Sequence, residues 1–285
     1  MGNTMEIGCG EWGLRDRPLR EHFEIAAMFD FKILEFGIGG GQPGRLSEFP
    51  SEREIIYFTH LKSKYDIKTP YCCLENDFTE KSSVRHREQL NKTLIQMESA
   101  AKCGAEYIRL FTGWTPAEEI SEEIWLRMTD AFTKCSDLAQ KLNVQLSIET
   151  HGVLEKCDRG FRHVHSASTR RDMVQRMTAS LPENIGFNYD PGNLKPFGDF
   201  LLDIINCKIN YCHLKDWKKT GEDQWTACAV GDDDLDYFEL LSKMKYKGPL
   251  LIEYEPLHDQ IEGIARSLKY LRKISSGVQK SVPVL

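Results

Sequence analysis

Short runs rich in Ile, Leu, Val, Phe and Tyr alternate along the chain with longer segments in which apolar residues recur at three- and four-residue steps. The first pattern predicts buried strands and the second predicts amphipathic helices. Strands are expected over 5–9, 32–36, 67–72, 106–111, 144–149, 185–190, 208–214 and 249–254. Helices are expected over 18–29, 51–65, 83–103, 118–142, 168–180, 197–206, 234–245 and 259–274. From Glu122 to Leu142 the apolar positions Ile124, Trp125, Met128, Ala131, Phe132, Cys135, Leu138, Ala139 and Leu142 form one stripe, which a sheet would cover. Pro18, Gly104 and Gly248 fall where a helix should start or stop.

Repeated strand-then-helix units, with no run of hairpin turns, predict an α/β chain folded as a single-domain (β/α)8 TIM barrel over 1–285. An open doubly wound sheet is the competing architecture, but no Gly-x-Gly-x-x-Gly follows the first strand. Gly37-Ile-Gly-Gly-Gly41 follows the second and reads as a flexible loop. The acidic run Asp232 to Asp236 precedes an apolar stripe and reads as the favoured charge at a helix N-terminus.

Composition narrows the function. A hydrophobic fraction of 41% and a charged fraction of 28% suit a folded globular chain. A net charge of -6 disfavours nucleic acid, which needs a basic surface. Nine cysteines without a C-x-x-C pair read as reduced thiols of a cytoplasmic protein. The N-terminus lacks a signal-peptide core, and no apolar run is long enough to span a membrane.

Four strand-like runs in the second half end in Glu149, Asp190, His213 and Glu253. In a barrel these ends share one rim, where three converging carboxylates would repel one another unless a cation joined them. Three carboxylates and one imidazole form a hard ligand set, favouring one divalent ion, Mn²⁺ or Mg²⁺, with Co²⁺ and Zn²⁺ also compatible. Such a set leaves open positions at which an ion can polarise a carbonyl. Glu255 rivals Glu253, because both point to the same side of an extended strand.

The motifs Ser147-Ile-Glu149-Thr-His151-Gly, Pro182 to Asn193, Cys212-His213-Leu-Lys215-Asp216 and Gly248 to Glu255 resemble the xylose isomerase-like TIM barrel superfamily, the sugar phosphate isomerase/epimerase family. Ile33-Leu-Glu35 and Gly104 to Arg109 extend the resemblance into the first half. It implies that Glu149, Asp190, His213 and Glu253 hold the metal, and that Glu149 and Glu253 also move a proton on opposite faces of the substrate. The expected activity is that of a metal-dependent isomerase or epimerase acting on a small carbohydrate through an enediolate. An inosose-type dehydratase with the same metal site is the alternative reaction, and a non-catalytic metal- or sugar-binding barrel is the alternative class.

Asn193 stands where the resembled epimerases carry a substrate-binding His. The three-zinc endonucleases of the superfamily use a His-rich set; Asn193, Glu35-Phe-Gly and Tyr71-Cys-Cys do not supply it, which argues against DNA repair. His151, Lys215, Asn193, Trp12 and Trp114 are expected to touch substrate. Asp216 is expected to orient a ligand or Lys215. Trp217 is a further aromatic at a strand end, and Arg109 is expected in a salt bridge to a strand-end acid. His163 and His165 lie in a basic loop that could cover the site and carries no assigned chemistry. The expected partner is a small carbohydrate, without nucleic acid or membrane; the oligomeric state stays open, a homo-oligomer included.

Overall fold

The computed structural model describes residues 6–200, 204 and 206–281. The first half runs β1 (Ile7–Cys9), α1 (Leu19–Met28), β2 (Phe36–Ile38), α2 (Glu52–Tyr65), β3 (Tyr71–Leu74), α3 (Ser83–Lys102), β4 (Tyr107–Leu110), α4 (Glu122–Leu142) and β5 (Gln145–Glu149). The second half runs β6 (Val153–Cys157), β7 (Gly160–Val164), α5 (Arg171–Ser180), β8 (Ile185–Tyr189), α6 (Pro191–Leu194), β9 (Ile209–Leu214), β10 (Asp216–Gly221), β11 (Gln224–Cys228), α7 (Tyr237–Lys243), β12 (Leu250–Ile252) and α8 (Gln260–Ser281).

Eight strands form one parallel sheet in the order β1-β12-β9-β8-β5-β4-β3-β2. The two ends of that order meet: Cys9 N donates to Ile33 O at 3.0 Å, and Glu35 N donates to Cys9 O at 2.9 Å, just ahead of β2. The sheet thereby closes into the expected (β/α)8 barrel, which leaves no exposed sheet edge. The segment 32–36 contributes only isolated bridges at Ile33 and Leu34, and the regular strand begins at Phe36.

The helices follow their apolar stripes. In α4, Ser121 accepts a hydrogen bond from Ile124 N, the predicted stripe is buried or packed on the core, and Asn143 ends the helix in the left-handed region at φ 56. In α2, Ser51 and Glu54 form a reciprocal capping box. Asp236 caps α7 by accepting from Glu239 N at 2.9 Å, as expected of the end of the acidic run, while Asp233 and Asp234 pair with Lys195 and Asp232 pairs with Arg266. The helix expected over 197–206 falls partly outside the described residues; its first residues belong instead to a 3₁₀ stretch, Lys195–Phe200, that follows the single turn α6.

The core has two compartments. Most buried apolar side chains lie in one large cluster that includes the apolar faces of the outer helices. A smaller cluster of Ile33, Tyr71, Tyr211 and Leu251, with Tyr107 against it, comes from barrel strands and their flanks. Tyr71 stacks on Tyr107 at 4.9 Å and lies 4.4 Å from Tyr211, centroid to centroid. This aromatic layer fills the barrel interior, and the Tyr211 hydroxyl donates to Glu35.

Two hairpins that the sequence pattern did not predict complete the fold. β6 pairs with β7, β10 pairs with β11, and Trp225 opposite Phe161 joins the pairs into a four-stranded antiparallel sheet, β10-β11-β7-β6. They leave the barrel directly after β5 and β9, from the rim that carries the strand C-termini. Gly160 lies at their junction with φ 131, where a Cβ would come within 2.1 Å of Trp225 O. Only glycine allows that approach.

Candidate metal centre

Each of the four strand-end residues reaches the centre from a different strand. Glu149 ends β5, Asp190 follows β8, His213 lies near the end of β9, and Glu253 follows β12. All four are buried, and their potential ligand atoms lie within 4.8 Å of one another. Parallel pairing produces this convergence, because it brings every strand C-terminus to one rim.

His213 is oriented from behind. Its Nε2 lies 2.6 Å from Glu35 Oε1, while Nδ1 lies 3.5 Å from Glu253 Oε1 and 3.8 Å from Glu149 Oε1. A proton held on Nε2 by Glu35 leaves Nδ1 as the ligand atom toward the cluster. Asn188 accepts from His213 N at 3.1 Å and has its Nδ2 3.1 Å from Nδ1, so an ion there would take over that lone pair. Burial lowers the imidazole pKa, but Glu35 and Glu253 outweigh it and hold the pKa well above its ordinary value. Burial likewise opposes ionisation of Glu35, which His213 and Arg109 nevertheless hold down at about 2.

Asn193 Nδ2 donates to Glu149 Oε1 at 3.2 Å and to Asp190 Oδ2 at 3.3 Å. Asp190 also caps α6, accepting from Asn193 N at 3.3 Å. Burial, with Glu253 and Glu149 close by, raises the Asp190 carboxyl to about 7 even though Lys215 opposes the rise. Glu149 experiences the opposite balance: burial raises its pKa, but Arg109, His213 and Lys215 hold it well below the carboxylate range.

The residues fit a divalent cation. Glu149 Oε2, Glu253 Oε2 and Asn193 Oδ1 are buried without a well-formed hydrogen bond, although the Lys215 ammonium forms an ion pair with Glu253 Oε2. Glu149 Oε2 is 3.0 Å from Arg109 Nε, an ion pair whose angle is poor for a hydrogen bond. Buried acceptors of this kind are costly unless a cation or donor completes them. A second group of ligand-type atoms, from Glu35, Cys73 and His213, shares the imidazole. There Cys73 Sγ donates to Glu35 Oε1 at 2.8 Å, and burial pushes the thiol up to about 12, which favours a hydrogen-bonding thiol over a thiolate ligand.

A cavity of about 370 Å³ opens beside the centre, and Glu149, Glu253, His151, Lys215, Trp12 and Trp114 line it. His151 packs edge-on against Phe111 at 5.2 Å and Trp114 at 5.3 Å, making an aromatic wall, and its Nδ1 lies 2.6 Å from Gly152 O. A groove of about 420 Å³ between α5 and β8 is larger, but it lies away from the cluster on the outer face of the barrel. The cluster, not size, selects the cavity. Asn193 lies behind Glu149 and Asp190, away from this lining.

Lys215 stands closer to the centre than its sequence position suggested. Its ammonium contacts Glu253 and lies 2.6 Å from Glu255 Oε1, 3.2 Å from Asp190 Oδ2 and 4.0 Å from Glu149 Oε1. Glu255, the sequence rival of Glu253, also lines the cavity but stands outside the four-residue cluster. Asp216 does not orient Lys215 as expected. It accepts from Lys195 Nζ at 3.0 Å and Trp217 N at 2.9 Å, because strand alternation sends its side chain to the other side. Trp217 is buried against His163 at 4.6 Å and does not line the cavity. His163 itself is buried with neither ring nitrogen hydrogen-bonded.

A largely buried charge ladder supports the centre; its Arg109–Glu149 rung is the strand-end salt bridge expected from the sequence, and its other rungs were not evident there. Arg45 joins Glu11 at 2.7 Å to Glu75 at 2.9 Å, and Arg109 joins Glu75 at 3.8 Å to Glu149 at 3.0 Å. Glu11 N donates to Glu35 Oε2 at 2.9 Å. Glu11 and Glu75 sit just after the rim ends of β1 and β3, a signal of the same kind as the four ligand-type residues, whereas Glu35 sits just ahead of β2. In the sequence, position alone did not distinguish them.

Known proteins carry the same architecture. The family model described as xylose isomerase-like TIM barrel matches residues 23–274. No curated protein matches the chain. Among solved structures, a xylose isomerase domain protein from Planctomyces limnophilus superposes with a TM-score of 0.75 at 17% identity, covering 97% of this chain and 99% of that one. An L-ribulose 3-epimerase gives 0.76 at 12% identity, covering 98% and 99%. The IOLI protein, solved with a zinc atom, gives 0.75 at 16% identity, covering 96% and 99%. A candidate metal-coordinating site inside a barrel of this kind supports metal-dependent enzymatic activity. The match over most of its length makes the chain a member of the xylose isomerase-like TIM barrel family.

Proposed function

We propose that the chain is a divalent-metal-dependent isomerase or epimerase of a small carbohydrate without a phosphate group, working by proton transfer beside a carbonyl. The observation that carries this reading is the pair Glu149 and Glu253. Both line the cavity, and they come from strands separated by β8 and β9 in the barrel wall. Two carboxylates in that relation can remove a proton from one side of a planar enediolate and return it from the other.

Glu149, Asp190, His213 and Glu253 would hold the ion. When bound it would supply Lewis-acid polarisation of the carbonyl and lower the acidity barrier of the adjacent C–H. Arg109 keeps Glu149 ionised. Glu35 fixes the His213 ring, and Asn193 holds the Glu149 and Asp190 carboxylates in register. The aromatic wall of Trp12, Trp114 and His151 suits the apolar face of a sugar. Both cationic side chains lining the cavity are already paired, Arg109 with Glu149 and Lys215 with Asp190, Glu253 and Glu255, which leaves them no charge to spare for a phosphate. The likeness to a solved L-ribulose 3-epimerase agrees with this class.

The test is solvent exchange. Metal-loaded protein incubated with unphosphorylated ketoses and keto-inositols in D₂O should place deuterium on the carbon beside the carbonyl. Glu149→Gln should reduce that rate roughly 100- to 10,000-fold, the range for a lost general base. Full exchange in the variant would remove Glu149 from proton transfer. Loss of water from a keto-inositol would mark the dehydratase, and metal binding without exchange on any substrate would mark a binding barrel.

A further inference from the structure

We propose that Lys215 is an internal cation that competes with a divalent ion for the carboxylates of the cluster and moves onto Glu255 when the ion binds. The inference rests on the metal-centre reading above. The ammonium contacts Glu253 and lies 3.2 Å from Asp190 Oδ2, so it engages oxygens that an ion among the four residues would need. An ammonium and a divalent ion cannot share those oxygens without strong repulsion, because the site is buried and poorly screened.

The structure provides a second seat. Glu255 Oε1 is 2.6 Å from the same nitrogen, outside the four-residue cluster and on the cavity wall. The lysine backbone is held in place while the tip of its side chain is shared. Tyr237 donates its hydroxyl proton to Lys215 O, and Gly192 leaves room for the stem, since a Cβ there would meet Lys215 O at 2.3 Å and Cγ at 2.6 Å. Retreat of the ammonium onto Glu255 needs only a rotation of the last side-chain bonds. The charge then stands on the cavity wall beside Glu255, where it can donate to a substrate oxygen, so metal loading and substrate binding are coupled through one side chain.

Calorimetric titration of Mn²⁺ into the wild type, Lys215→Met, Glu255→Gln and the double variant tests this. Lys215→Met should bind at least about tenfold more tightly, since a competing charge has gone. Glu255→Gln should bind more weakly, because the ammonium loses its alternative seat, and it should have far less effect in the Lys215→Met background. Binding by Lys215→Met equal to or weaker than wild type overturns the proposal, as does a Glu255→Gln effect of equal size in both backgrounds. Should Lys215→Met fail to fold, the Lys215 Nζ resonance of the wild type decides: a shift on Mg²⁺ addition that is lost in Glu255→Gln supports the exchange of seats, and an unmoved resonance overturns it. Absence of Mn²⁺ binding in the wild type and every variant overturns the metal-centre reading along with this inference.

Discussion

At the residue scale, the centre depends on groups that do not touch an ion. Glu35 lies behind His213, and its carboxylate accepts from Tyr211 and Cys73 as well as facing Nε2. Such partners fix ring orientation and ligand basicity, and their loss typically weakens metal affinity 10- to 100-fold. Glu35→Gln should therefore bind Mn²⁺ roughly 10- to 100-fold less tightly in a calorimetric titration, with little change in its far-UV circular dichroism. Affinity equal to wild type would show that the imidazole needs no such support. The carboxylates illustrate how environment separates like groups: Arg109 beside Glu149 favours the charged form, while burial among acids drives Asp190 to about 7.

At the element scale, caps and glycines set where each segment begins and bends. The capping box of α2 places Ser51 Oγ to accept from Glu54 N at 3.3 Å while Glu54 returns a bond to Ser51 N at 2.9 Å. Removing the Ser hydroxyl in Ser51→Ala should cost about 1 kcal/mol in denaturant unfolding and leave metal affinity unchanged. An unchanged midpoint would mean that Glu54 and solvent satisfy the helix start unaided. The two hairpins show what the periodicity missed. Lys218-Lys-Thr-Gly221 and Glu222-Asp223 carry little apolar alternation, because this sheet is only half-covered and its pairing depends on contact between two segments distant in sequence. The basic loop containing His163 and His165 belongs to β7 and its continuation, and it is pinned by Trp217 and Phe197.

At the scale of the whole molecule, buried neutral histidines couple stability to pH. His22 is buried with Nε2 2.7 Å from Leu14 O, and burial lowers its pKa to about 4. Burial also lowers that of His163, to about 3. The unfolded chain takes up these protons from its ordinary value of 6.5 downward, while the folded chain does not until the lowered values are reached. Stability should therefore be retained above about pH 6.5 and fall as pH drops toward 4, with His22 alone contributing up to roughly 3 kcal/mol. Urea unfolding of the wild type and of His22→Gln at several pH values checks this, because the variant should lose the His22 share of the slope. An identical slope would assign the acid sensitivity to other groups. Among the described residues, no helix is long and apolar enough to cross a membrane.

The sequence by itself determined the alternation of strands and helices, the barrel that follows from it, and the four residues Glu149, Asp190, His213 and Glu253. Those features are legible because apolar periodicity and strand-end position are local properties, and parallel pairing carries them to one rim. The tertiary structure decided the rest. It placed Glu35 behind His213, chose Glu149 as the partner of Arg109 and ran the ladder on through Glu75 and Arg45 to Glu11, turned Asp216 toward Lys195, and set the Lys215 ammonium between cluster carboxylates and Glu255. None of these partnerships has a sequence spacing, because each joins side chains from different strands across the barrel. A charged group's partner in a buried site is chosen by through-space distance and by the need to neutralise it there, and only the closed barrel fixes both.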